Sequence, residues 1–161
     1  MFKAVRDDLL CFRLMLGLLL AGVMLTGCGP KPDTHPGQPV TKRKAIFHNM
    51  LRAFEPMGLE IRGRESYDKD KFLKNAVNLE ALAQQPWSYF TPGSDYRPTR
   101  AKHTVWEKPA DFKAKQQKLL ETVTQLTRAS QTGNMDVIRP AYQAVAQTCK
   151  ACHDQFRQSS Y

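Results

Sequence analysis

Apolar residues recur through most of this chain at three- and four-residue steps, which is the signature of one helical face. Over residues 41–62 the apolar positions are Ile46, Phe47, Met50, Leu51, Phe54, Met57 and Ile61, with Thr41 as an N-cap and Pro56 placed to kink the helix. A second helix is predicted over 68–85 from Phe72, Ala76, Leu79 and Ala83. The third follows Pro109, a proline suited to a first turn, presents Phe112, Leu119, Val123 and Leu126, and stops near Gly133-Asn134. The fourth carries Ile138, Tyr142, Val145, Cys149, Cys152 and Phe156, an unbroken 4-3-4-3-4 spacing. No segment alternates with period two, so strands are not expected. Four amphipathic helices with mostly short connections predict an all-α fold, an antiparallel four-helix bundle over residues 41–161. The exception is the connection 86–108, PWSYFTPGSDYRPTRAKHTVWEK, a length that in a compact domain is functional or packed over something.

The first forty residues do not follow this pattern. Lys3, Arg6 and Arg13 precede an apolar run, Leu14 to Leu25, too short for the about 20 residues that cross a bilayer and suited to the core of a secretory signal. Asp7 and Asp8 are unusual in such a leader. The run ends in Leu25-Thr26-Gly27-Cys28, which resembles the lipobox of bacterial lipoproteins; the resemblance implies a signal peptide over 1–27 and a lipid-carrying Cys28. Gly29 stands where inner-membrane lipoproteins typically have aspartate, so the same resemblance implies the outer membrane of a Gram-negative bacterium, facing the periplasm. Residues 28–40, with four prolines and two glycines in GPKPDTHPGQPV, read as an unpacked tether reaching at most about 35–40 Å, with His35 in solvent.

Charge and cysteine usage narrow the chemistry. The formal net charge is +9, and removal of residues 1–27 leaves +8. A basic surface suits acidic partners or anionic membrane faces. Nucleic acid is not expected of an exported chain without a nucleic-acid-binding motif. Cys11 leaves with the signal and Cys28 takes lipid, so Cys149 and Cys152 are the two cysteines left to the domain.

Those two belong to Cys149-Lys150-Ala151-Cys152-His153, the spacing of a c-type haem attachment site. On a helix the three side chains point to one side, so two thiols can add to the vinyl groups of a haem while the imidazole reaches the iron. Zinc would need a fourth donor, and His48 and His103 stand in no ligand-like spacing. A redox dithiol expects a βαβ context that this chain lacks. One motif means one haem c, held through Cys149 and Cys152.

A haem motif near the C-terminus of a helical bundle resembles the cytochrome c′ family. Pro86-Trp87, Phe90 and Pro92-Gly93 are similar to its P-W-x-x-F-x-P-G segment, and Trp106 with Phe112-Lys113, Lys115 and Gln116 to the run that opens its third helix. The resemblance spans residues 41–157. It implies that His153 is the proximal iron ligand, that Arg157 tunes the iron from beside it, that Arg43 pairs with a haem propionate and that Trp87 packs at the haem pocket. Four residues after that arginine, low-spin members carry a methionine that closes the sixth iron site. This chain has Phe47, which cannot ligate iron. His48 lies on an outward stripe with Arg52 and Glu55, and Met50 lies on the apolar stripe. A five-coordinate haem that binds NO or CO is therefore the expected function. A lining of Phe47, Met50 and Trp87 offers one hydrogen-bond donor, the indole N–H, and so disfavours bound dioxygen. The second reading is a six-coordinate, low-spin electron carrier serving a periplasmic redox partner. A peroxidase is disfavoured by the absence of a distal His–Arg pair, so an enzyme is not expected. The resemblance leaves open a homodimer through the first two helices.

Overall fold

The computed structural model describes residues 33–159, and they are helical apart from loops and one isolated bridge. The helices are α1 (Pro39–Ile61), α2 (Lys69–Ala83), the short α3 (Thr104–Glu107), α4 (Pro109–Thr132) and α5 (Met135–Phe156), with a 3₁₀ turn at Trp87–Tyr89. The four long helices form the bundle: α1 packs on α2, α2 on α4 and α4 on α5. Their predicted stripes meet in one core in which Met57, Phe72, Val123, Leu126, Ile138 and Val145 are almost fully buried. Leu51, assigned to the apolar stripe of α1, is instead 47% exposed. It lies next to Met50, and a helix turns by about 100° per residue, so only one of the pair can face inward.

Local chemistry sets the helix ends. Asp68 is extended, and its carboxylate accepts from the N–H groups of Asp70 and Lys71 at 3.0 and 3.1 Å. Asn134 caps α5 in the same way through Asp136 N–H at 2.9 Å. Gly133 ends α4 at φ 69°, a left-handed position where a side chain would be strained. The buried hydroxyls of Thr127, Ser130 and Thr148 each donate to the carbonyl four residues back, so the core carries them at little cost.

The N-terminal boundary differs from the sequence expectation. Thr41 is not the N-cap, because α1 begins two residues earlier with Pro39, where the missing N–H costs nothing, and Gln38 takes the cap position. Nor do residues 33–40 form an unpacked tether. Val40 is buried, and the buried Asp33 carboxylate accepts from the Tyr96 hydroxyl at 2.9 Å and from Thr41 N–H at 3.2 Å. His35, expected in solvent, stacks on the Tyr96 ring with centroids 3.4 Å apart, although half of its side chain stays exposed. The signal segment 1–27, Cys28 and residues 29–32 lie outside the described residues.

α1 and α5 approach one another at Gly58, beside the Tyr142 hydroxyl, and Phe54 stacks on the Tyr142 ring at 4.3 Å. Arg139 adds a hydrogen bond to the Ile61 carbonyl at that same end. The other end, where α1 starts and α5 finishes, is organised by the 86–108 connection.

Candidate haem site

Cys149, Cys152 and His153 sit on the last two turns of α5, which stays helical to Phe156. Both cysteines are free thiols and partly buried, and Cys149 packs against the core cluster. Burial, reinforced by the neighbouring Cys152, pushes the Cys149 thiol up to about 11. Burial also raises Cys152, partly offset by Lys115. The two are therefore neutral thiols one turn apart and not joined to each other. Burial, then the positive charges of Arg157 and Arg100, hold the His153 imidazole below its ordinary value, so its neutral form is favoured. A neutral imidazole beside two free thiols on one side of a helix is the donor set that a c-type haem requires.

The last turn of α5 is pinned from outside by the long connection. Lys102 N–H donates to the Phe156 carbonyl at 2.9 Å, Gln158 N–H to the Arg100 carbonyl at 2.8 Å, and Ala101 bridges Arg157. Lys102 Nζ reaches the Asp154 carbonyl at 2.8 Å. Arg157 has left the helix as its C-cap, with its N–H on the His153 carbonyl at 2.9 Å. Arg157 thus lies beside His153, held by the strand-like contact rather than by a further helical turn.

Arg43 holds the same connection from α1. It is 2% exposed, and its two terminal nitrogens donate to the Tyr89 carbonyl, the Ser94 hydroxyl and carbonyl, and the Thr99 hydroxyl. Its guanidinium lies over Phe90 at 4.7 Å. Among the described residues no carboxylate comes within ion-pair distance of it. Arg43 is a clamp on the loop in this structure, and its Nε–H alone is left for an anionic partner. Nothing in the sequence marks Tyr89, Ser94 or Thr99 as its partners, because these are contacts across 46 to 56 residues.

Phe47 is half-buried on α1, with Trp87 edge-on at 6.0 Å and Phe90 at 6.3 Å. Trp87 contacts Phe112 at 5.8 Å, and Phe112 contacts Phe156 at 5.2 Å. A continuous path of rings thus runs from Phe47 to the stripe of α5 that carries both cysteines. The Trp87 indole N–H donates to the Ala83 carbonyl at 2.6 Å, so the one donor expected in the lining is committed to the backbone. His48 is exposed and Met50 is buried in the core, as their helix positions predict. His103, the other spare histidine, pairs with Asp95 at 2.8 Å. A surface groove of about 310 Å³ runs between α4 and α5, lined by Lys115, Lys118, Gln147, Thr148 and Ala151, on the side of α5 turned away from His153.

A helical bundle whose last helix presents two free thiols and an adjacent imidazole defines a c-type cytochrome of the helical-bundle class. The sequence model of the cytochrome c′ family matches residues 38–157. Cytochrome c′ of Alcaligenes xylosoxydans xylosoxydans is 32% identical over 122 residues, covering 76% of this chain and 94% of that protein. Cytochrome c′ of Rubrivivax gelatinosus is 30% identical over 124 residues, covering 76% of this chain and 96% of that one. Among solved structures, cytochrome c prime from Shewanella frigidimarina superposes with a TM-score of 0.76 at 28% identity, over 78% of this chain and 98% of that one. A nitric oxide complex of a mutant of the Alcaligenes xylosoxidans protein superposes with a TM-score of 0.73 at 30% identity, over 80% of this chain and 100% of that one. A carbon monoxide-bound variant of the same protein gives 0.73 at 30% identity with the same coverage. The chain belongs to the cytochrome c′ family, and its cofactor is one c-type haem attached through Cys149 and Cys152.

Proposed function

We propose that this protein binds NO or CO at a five-coordinate haem c, with His153 as the proximal ligand and Phe47 over the opposite face. The haem supplies an iron site for a small neutral ligand; the chain supplies its surroundings. The observation that carries the reading is the Phe47–Trp87–Phe90 cluster with its indole N–H already bonded to Ala83. The three rings carry no ligating atom and their indole N–H is already bonded, which supports a preference for apolar diatomics over dioxygen. Relatives solved with nitric oxide and carbon monoxide bound support the same ligand class. Arg157, beside His153, adjusts its basicity, and the Arg43 Nε–H accounts for one haem propionate. The protein acts as a ligand-binding haem protein rather than an enzyme.

The absorption spectrum of the ferrous protein with and without NO and CO tests this. A high-spin spectrum that changes with each gas is expected; a low-spin spectrum indifferent to both would refute it. Electron exchange with a periplasmic partner is the second reading, favoured by the basic residues around the end of α5, and a six-coordinate low-spin spectrum is its signature. Lipid on Cys28 would hold the mature chain at the outer membrane, in the periplasm, and mass spectrometry of the N-terminal fragment reads it directly. A homodimer through α1 and α2 is read by sedimentation.

A further inference from the structure

The charge of the folded domain is concentrated at one end. Residues 33–48, 86–115 and 149–159 gather there, because Arg43 bonds the 89–99 stretch and Ala101 bridges Arg157. They hold eleven Lys or Arg against five Asp or Glu, a formal charge of +6. The other described residues hold nine against eight, a formal +1. Asp33 is buried, Asp95 is 2.8 Å from His103, and Asp154 is 2.6 Å from Lys150, so most of the acidic groups at the basic end are already engaged. Lys42, Lys44, Arg97, Lys108 and Arg157 are exposed. Two haem propionates would still leave this end strongly basic.

The chain also enters the fold at this end. Asp33 is fixed there by Tyr96 and Thr41, and four residues separate it from Cys28. Five residue steps reach no more than about 18 Å. A lipid on Cys28 therefore keeps Asp33 within that reach of a bilayer, which lets the exposed basic side chains around it enter the layer of about 8–10 Å in which surface charge acts. One anchor combined with a polybasic patch is the pairing that gives stable membrane attachment.

We infer that the end of the bundle bearing Cys149, Cys152 and His153 docks on an anionic phospholipid surface, with Lys42, Lys44, Arg97, Lys108 and Arg157 against the headgroups. The orientation rests on the lipid-anchor reading, whereas the charge asymmetry does not. Docking of this kind points the haem-bearing end at the membrane and the α1–α2 connection at the aqueous side.

The haem-loaded full-length protein is incorporated in vesicles of phosphatidylcholine alone or with about 30% phosphatidylglycerol, and lysine reactivity is mapped by mass spectrometry. Lys42, Lys44 and Lys108 are expected to lose reactivity on the anionic vesicles and regain it at high salt, while Lys69, Lys71 and Lys74 stay unchanged. In co-sedimentation, the Lys44→Glu/Lys108→Glu pair should weaken the anionic preference by roughly fivefold per charge removed. The Lys74→Glu/Arg128→Glu pair, away from this end, should not weaken it. Equal protection at both ends, or equal loss in both paired variants, overturns the docking face. The same spectra show whether Cys28 is acylated. An unmodified Cys28 refutes the anchor, while the salt-sensitive preference for anionic vesicles is still measured and still decides the basic face.

Discussion

Arg43 is the side chain on which the haem-bearing end of the bundle most depends, and its removal tests that. It is 2% exposed and makes four hydrogen bonds to the 89–99 stretch, two of them to backbone carbonyls. A bond to a charged group contributes about 1.5–3 kcal/mol net. In Arg43→Met the charge and its desolvation cost leave together, but the Tyr89 and Ser94 carbonyls lose their donor, at about 1–3 kcal/mol each. The methionine also forfeits the stacking over Phe90 and Trp106, worth about 1 kcal/mol or more when desolvated. The expected loss is about 3–5 kcal/mol, a large share of a total stability of roughly 5–15 kcal/mol. Arg43→Lys keeps the charge but cannot present a planar fork to acceptors on opposite sides, so it should lose about 2 kcal/mol. Denaturant unfolding followed by circular dichroism gives both values. Amide exchange at Ser94, Thr99 and Val105, whose N–H groups bond within the loop, should quicken in step. Arg43→Met within about 1 kcal/mol of the parent, with those amides still protected, would refute the clamp.

Other perturbations follow from the same geometry. Phe47→Met should convert the iron to a low-spin, six-coordinate state and slow the binding of NO and CO, because a thioether can close a site that a phenyl ring cannot; an unchanged electron paramagnetic resonance spectrum would mean that position 47 does not face the metal. Gly58→Ala places a methyl against the Tyr142 hydroxyl where α1 meets α5, so it should cost about 1–3 kcal/mol, measured by thermal unfolding. Burial alone would raise the Asp33 carboxyl, but hydrogen bonds from His35, Tyr96 and Thr41 outweigh it and hold the group below its ordinary value. Its contribution is then complete above about pH 4 and is lost as pH falls through the lower folded value, so the stability gap between parent and Asp33→Asn should close only on the acid side.

Much of the bundle was legible because its signals are local. Stripes at three- and four-residue steps gave the four long helices, and Asp68, Pro109 and Gly133 lie at boundaries they mark for steric or hydrogen-bonding reasons. The haem motif was legible for the same reason, since it lies within five residues of a regular helix. What stayed hidden depends on contacts distant in sequence. Asp33 looked like linker because its partner, Tyr96, is 63 residues away. Arg43 was aligned with a propionate, and its protein acceptors lie in a loop without periodicity. The indole of Trp87 looked like a free donor until the Ala83 carbonyl was found four residues back, at the end of α2.

These hidden contacts share a location and a consequence. Cys149, Cys152 and His153 need the last turn of α5 to hold its shape. The 86–108 connection supports that turn: it bonds the backbone of Phe156 and Gln158 on one side and is held by Arg43 on the other. Asp33 then ties the start of the fold to the same loop through Tyr96. The rigidity of the attachment site is thus coupled to α1, the helix that also carries Phe47. Loosening Arg43 should for that reason disturb both faces of the haem together, whereas Gly58→Ala, at the opposite end of the bundle, should lower stability with little change in ligand binding.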